Sequence, residues 1–172
     1  MEILEMTKVC VKKRAVYPGT FDPVTYGHID LIKRATRIFD QIIVAVAANL
    51  SKQPLFSIAE RVSMLKKATS RIQGVTVESF DQLMIDYAAS KKTNVIIRGL
   101  RMISDFEYEF QMALTNRRLN SKMEVVFMMP QESYSFLSSK LIKEIAYLNG
   151  DVSGFVPSFV AKKLKQVLSD RK

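Results

Sequence analysis

One stretch of this chain places a tight turn, two threonines and its only histidine in close succession: Pro18-Gly19-Thr20-Phe21-Asp22-Pro23-Val24-Thr25-Tyr26-Gly27-His28. Backbone N–H groups at a helix start are unpaired and carry partial positive charge, so a helix opening on Gly27-His28 favours an anion. Gly27 lets a ligand approach the backbone, His28 adds a directed N–H donor, and Thr20 adds a hydroxyl. The chain contains neither GxxxxGK[ST] nor GxGxxG, so this is not a Walker A loop or a dinucleotide fingerprint. The plainer alternative is that His28 caps the helix and Thr20 stabilises the turn.

Further groups of the same kind recur along the chain. Arg98-Gly99-Leu100-Arg101 offers two guanidinium groups, which bind phosphate bidentately and keep their charge when partly buried; surface salt bridging is the alternative. Lys52, in Asn49 to Pro54, is placed to reach into a cleft or to stand solvated in a loop. Tyr134-Ser135-Phe136-Leu137-Ser138-Ser139-Lys140 ends on two serines at a helix start, suited to cradling a phosphate or to plain N-capping. Met84 reads as core or cleft wall. No GxSxG accompanies the serines, and carboxylates cluster only at Asp105, Glu107 and Glu109. A set rich in phosphate donors and poor in bases suits phosphoryl or nucleotidyl transfer, where a protein mainly positions groups and offsets charge.

The elements that must hold these residues alternate. Ala15 to Tyr17 reads as a strand, Gly27 to Phe39 as a helix with Ile29, Ile32, Ala35 and Phe39 on one side, and Gln41 to Ala48 as a strand covered on both faces. Ser57 to Glu60 is a capping box opening a helix with Ile58, Val62 and Leu65 inward. Val75 to Val77 is a strand, Leu83 to Ser90 a helix, and Val95 to Ile97 a strand. Ser104 to Glu107 reads as a second capping box, its helix turning Phe106, Phe110, Ala113 and Leu114 inward. Val125 to Met129 is the fifth strand, followed by helices at Ser138 to Leu148 and Ser158 to Leu168. This order predicts an α/β fold: one Rossmann-like, doubly wound sheet of five parallel strands with helices on both faces. Ligands of such sheets bind beyond the carboxyl ends of the strands. Four of the five predicted strand ends are followed by the anion-binding groups above.

Composition narrows the class. At 172 residues and 48% hydrophobic content the chain supports one full core, and no apolar run reaches the roughly 20 residues that cross a bilayer. Residues 1–13 read as a short N-terminal extension rather than a signal peptide, with the remaining domain spanning 14–172. Cys10 is the only cysteine, so neither an internal disulfide nor a zinc cage is expected, and the cytoplasm is the expected compartment. The net charge of +9 suits either nucleic acid or small polyanions, but it is spread along the chain. Its densest tract, Lys162, Lys163, Lys165, Arg171 and Lys172, reads as a solvated helix face.

Taken in order, these motifs resemble a known family. Tyr17 to Pro23 followed by Thr25-Tyr26-Gly27-His28 is similar to the (H/T)xGH signature of the nucleotidyltransferase superfamily. Pro54-Leu55-Phe56 with Glu60-Arg61, Ile97 to Arg101, Asp105 to Glu109 and Ser135 to Ser139 resemble the bacterial phosphopantetheine adenylyltransferases, over a match running from about Arg14 to the C-terminus. The resemblance implies transfer of the adenylyl group of ATP to 4'-phosphopantetheine, giving dephospho-coenzyme A and pyrophosphate, with Mg²⁺ bound mainly through the ATP phosphates. It implies catalytic roles for Thr20, His28, Lys52 and Arg101, and a phosphopantetheine site at Thr20, Lys52, Met84 and Arg98. It implies ATP contacts from Thr20, Phe21, His28, Gly99, Leu100, Arg101, Glu109 and Tyr134 through Lys140, including Ser135, Phe136, Leu137, Ser138 and Ser139. Lys140 stands where many relatives have a third serine. The resemblance further implies a homohexamer and no nucleic-acid or membrane partner.

Overall fold

The computed structural model describes residues 12–48 and 53–169. Lys52 with its loop from Asn49, Cys10 with most of the N-terminal extension, and the basic ends Arg171 and Lys172 lie outside the described residues.

Five strands form one sheet: β1 (Arg14–Gly19), β2 (Gln41–Ala47), β3 (Val75–Phe80), β4 (Val95–Gly99) and β5 (Glu124–Met128). Their order is β3-β2-β1-β4-β5, and every neighbouring pair is parallel. Between them run α1 (Tyr26–Ala35), α2 (Ile58–Thr69), α3 (Met84–Ser90) and α4 (Ile103–Leu119), with α5 (Ser139–Tyr147) and α6 (Ser158–Ser169) after the last strand. The predicted doubly wound sheet is therefore present. The chain first builds outward from β1 through β2 to β3, then returns to the other side of β1 with β4 and β5. Loops leaving β1 and β4 consequently diverge, which opens a crevice at their carboxyl ends.

Strand alternation feeds two cores. Ala15, Tyr17, Ile42, Val44, Val46 and Ile97 pack with α1, α2 and α6 on one face. Val16, Ile43, Ala45 and Ile96 pack with Ile85 and Ala88 of α3 on the other. Both faces of β2 are covered, which explains its near-continuous apolar run.

The capping box at Ser57 forms as expected: its hydroxyl accepts from Glu60 N–H, and the Glu60 carboxylate accepts from Ser57 N–H at 3.0 Å. The expected second box does not form. The helix begins at Ile103 with Met102 in the N-cap position and no side-chain cap bond, two residues earlier than the box requires, which puts position 104 inside the helix. Asp105 instead accepts from Arg101, whose Nε and Nη2 lie 3.0 and 3.2 Å from its two oxygens. The expected inward face is also corrected. Phe106, Phe110 and Leu114 are exposed, with the Phe106 ring edge-on to Phe127 of the edge strand β5, while Ala113 lines a cavity described below.

Candidate active site

A cavity of about 730 Å³ opens at the carboxyl ends of β1 and β4. Its lining includes Thr20, Phe21, Gly27 and His28 after β1, and Met84 at the start of α3. Arg98, Gly99 and Arg101 line it after β4, Glu109 from α4, and Tyr134, Leu137, Ser138, Ser139 and Lys140 after β5. Sequence segments up to 120 residues apart thus meet because the strand order changes direction at β1 and β4. Three residues of the expected ATP set do not line this cavity. The Leu100 N–H donates to Met128 O at 3.0 Å, Ser135 Oγ donates to Glu132 O at 2.8 Å, and Phe136 is exposed with its ring edge-on to Phe155.

The β1–α1 turn is held in an uncommon conformation. Phe21 has φ 49°, the left-handed region that bulky residues seldom adopt. Its ring is buried, edge-on to Tyr17 (centroids 5.5 Å apart) and to His28 (5.0 Å). Gly19 makes this possible, since a Cβ there would sit 2.9 Å from the Phe21 ring.

His28 both caps its helix and faces the cavity. The Thr25 hydroxyl accepts from His28 N–H at 3.3 Å, and His28 Nδ1 accepts from Thr25 N–H at 3.1 Å. A nitrogen accepting a backbone N–H carries no proton, so the neutral ring holds its proton on Nε2, away from Thr25. Burial, aided by the positive charge of Arg101, pushes the His28 pKa down to about 4. At neutral pH the ring is therefore an uncharged Nε2–H donor with no free lone pair, which suits it to hydrogen-bonding an anion and not to removing a proton.

The arginines are already paired. Arg98 Nε donates to Glu109 at 2.6 Å, its Nη2 makes a second bond to the same carboxylate, and Nη1 donates to Pro18 O at 3.2 Å. Arg101 pairs with Asp105 and donates from Nη1 to Leu137 O at 3.0 Å. The latter bond draws the segment after β5 toward β4. Ser139 Oγ donates to Pro23 O at 2.7 Å and draws the same segment toward the β1 turn. Ser138 caps α5, its hydroxyl accepting from Leu141 N–H at 3.0 Å. The serine pair thus docks a helix N-terminus onto the cavity as well as capping it.

Three residues at or beneath this site, Asp22, Arg61 and Lys143, received no individual role from sequence, although Asp22 and Arg61 stand within its motifs. Asp22, 3% exposed, accepts from Leu55 N–H and Phe56 N–H at 2.9 Å each and pairs with Lys143. Arg61 is buried beneath the turn. No spacing rule distinguishes Asp22 from a turn-capping aspartate. Arg61, though, falls three and four residues before the buried Met64 and Leu65 of α2, a periodicity that marks an inward arginine.

Residues 16–145 match the cytidylyltransferase-like family model. The chain is 55% identical to a phosphopantetheine adenylyltransferase from Caldanaerobacter subterraneus, covering 88% of this chain and 95% of that relative. It is 50% identical to one from Legionella pneumophila (94% and 95% covered) and 49% identical to one from Opitutus terrae (92% and 99%). Among solved structures, a candidate nicotinate-nucleotide adenylyltransferase from Vibrio parahaemolyticus shares the fold with a TM-score of 0.68 at 15% identity, covering 92% of this chain and 95% of that one.

Proposed function

The chain belongs to the cytidylyltransferase-like family, and from that premise we infer that it transfers the adenylyl group of ATP to 4'-phosphopantetheine, yielding dephospho-coenzyme A and pyrophosphate. Its roughly half-identical relatives of matching length carry that name. The observation that carries the chemistry is the Thr25 N–H bond to His28 Nδ1, which turns Nε2 away from Thr25 in a cavity that also presents Thr20, Arg98 and Arg101.

The nucleophile is a phosphate oxygen, already ionised at neutral pH, so the reaction proceeds in line without a general base. Its barrier is the crowding of negative charge at a five-coordinate phosphorus, which preorganised donors relieve. In this reading Thr20 and the Nε2–H of His28 meet the α-phosphate. Lys52 bridges the phosphates of both substrates. Arg98 and Met84 hold phosphopantetheine. Gly99, Arg101, Glu109 and the run from Tyr134 to Lys140 hold ATP, with the N-terminus of α5 near its phosphates. Leu100, Ser135 and Phe136 belong to this site through their neighbours and not through the cavity wall.

A magnesium ion carried on the oxygens of the nucleotide needs few ligands from the protein. Asp22 is engaged by Lys143 and Glu109 by Arg98, and no cluster of three metal-ligating side chains exists among the described residues. Mg²⁺ would draw charge from the ATP oxygens that bind it. Among the described residues no helix is long and apolar enough to cross a membrane. We place the enzyme in the cytoplasm as a homohexamer; the apolar row that α4 turns outward supports association of copies.

The acceptor is tested by pyrophosphate release from ATP with purified protein. Turnover is expected with 4'-phosphopantetheine and not with nicotinate mononucleotide, nicotinamide mononucleotide or glycerol phosphate. Equal turnover with any of these three would sink the assignment of acceptor.

A further inference from the structure

The turn that carries Thr20 is held from below by a residue that does not line the cavity. Arg61, on α2, is 1% exposed. Its Nε donates to Phe56 O at 3.0 Å, and its Nη1 donates to Thr20 O at 2.8 Å and to Ala47 O at 2.9 Å. One guanidinium thereby joins three points: the turn after β1, the last residue of β2 and the entry to α2. Asp22, two residues beyond Thr20, supplies the nearby negative charge and holds the Leu55 and Phe56 amides, so the same two segments are tied twice.

Stability alone is a poor account of this arrangement. Burying a charged side chain carries a desolvation cost that a well-packed apolar residue of similar volume avoids. What the guanidinium provides is geometry: a planar fork whose donors reach separate carbonyls at once, which a lysine ammonium does not reproduce. Fixing the Thr20 carbonyl fixes the plane of the Thr20–Phe21 peptide. That plane sets the direction of the Thr20 side chain and leads into the left-handed Phe21, whose ring packs edge-on against His28.

We propose that Arg61 is a positioning residue for adenylyl transfer, holding the Thr20–Phe21 turn in the geometry that brings Thr20 and His28 to the phosphates of ATP. The inference rests on the reading of Thr20 and His28 given above.

The test is a double-mutant cycle in the full chain, using Thr20→Ala and Arg61→Lys and following pyrophosphate release from ATP and 4'-phosphopantetheine. Turnover is expressed per folded molecule, the folded fraction coming from near-ultraviolet circular dichroism. Arg61→Lys is expected to lower kcat at least about tenfold, as misplaced reactive groups do, while KM for each substrate stays within about threefold. In the Thr20→Ala background the same change is expected to cost less than about threefold more, because residues that act through one another are non-additive. Should the lysine variant not fold, Arg61→Gln, uncharged but still a donor, takes its place under the same criteria. Equal losses in both backgrounds, or lowered thermal stability with kcat retained, would overturn the positioning role alone. Full turnover in Thr20→Ala would overturn both this role and the reading beneath it.

Discussion

The His28 ring shows how one residue can satisfy a local structural rule and a chemical one together. Its Nδ1 completes the capping box of α1, and that use of Nδ1 is what leaves the proton on Nε2. Protonating the ring would set a second N–H against Thr25 N–H and break the box. Two consequences follow for pH. With the folded pKa near 4 against an ordinary 6.5, the unfolded chain binds a proton between those values that the folded chain does not. Stability must therefore fall as pH drops through that window. Turnover should show no inflection near 6.5, where an ordinary imidazole titrates. Urea unfolding at pH 7 and pH 5 should show a larger loss for the natural chain than for His28→Asn. Replacing the ring by alanine should cut kcat by about 10² or more with the fold intact, read by pyrophosphate release and circular dichroism. Near-normal turnover in His28→Ala would remove this residue from the chemistry.

At the scale of elements, the sequence makes the succession of strands and helices and the strand ends readable because each signal is local. An apolar run, a crossover helix and a polar loop can each be recognised without knowing what lies opposite. The capping box at Ser57 is legible for the same reason. Ser104 to Glu107 carries a similar pattern and fails, since the competing attraction, Arg101 for Asp105, comes from the loop before the helix and moves its start to Ile103. Arg61 appears in the sequence only as part of a family motif and receives no role there, because a single arginine on an amphipathic helix usually snorkels to solvent, and two of its three carbonyl partners come from outside its own helix entry. Gly27 gives a prediction that belongs to this scale. A Cβ added there would lie 3.5 Å from its nearest neighbour, an ordinary contact, so the protein's own packing does not require glycine. In a helix alanine is more favourable than glycine by about 0.5–1 kcal/mol. Gly27→Ala should thus be as stable as the natural chain or more so. Its methyl would, however, occupy the space over the first turn of α1 where phosphates are read to bind. We expect kcat/KM for ATP to fall roughly tenfold, a displacement effect of modest size. Gain in urea midpoint together with loss of kcat/KM is the signature; unchanged kcat/KM would place the phosphates elsewhere.

At the scale of the whole molecule, α4 presents an apolar surface that a single copy does not explain. Met102, Ile103, Phe106, Phe110 and Leu114 stand exposed on or beside α4, Ile103 at 86% and Phe110 at 47%. Phe106 and Phe110 stack on each other at 5.5 Å between centroids, and Phe106 also meets Phe127 of the edge strand β5, which makes the surface continuous. Periodicity groups Phe106, Phe110 and Leu114 on one side of the helix, but the expectation that this side turns inward fails, because spacing does not say what lies opposite. Contiguous exposed patches of this kind mark interaction sites, and closed symmetric assembly buries the same patch on every copy. Glu109, Met112 and Asn116 on the same helix line the cavity, so loosening α4 should reach the chemistry as well. Phe110→Glu places a charge in the middle of the row, where burial in an interface would cost several kcal/mol. In sedimentation velocity at micromolar concentration the natural chain should run as six copies and Phe110→Glu as smaller species. The variant's circular dichroism should be unchanged and its turnover reduced. A natural chain that sediments as one copy would remove the hexamer and leave the α4 row without a partner, while a hexamer unaffected by Phe110→Glu would move the contact to another surface.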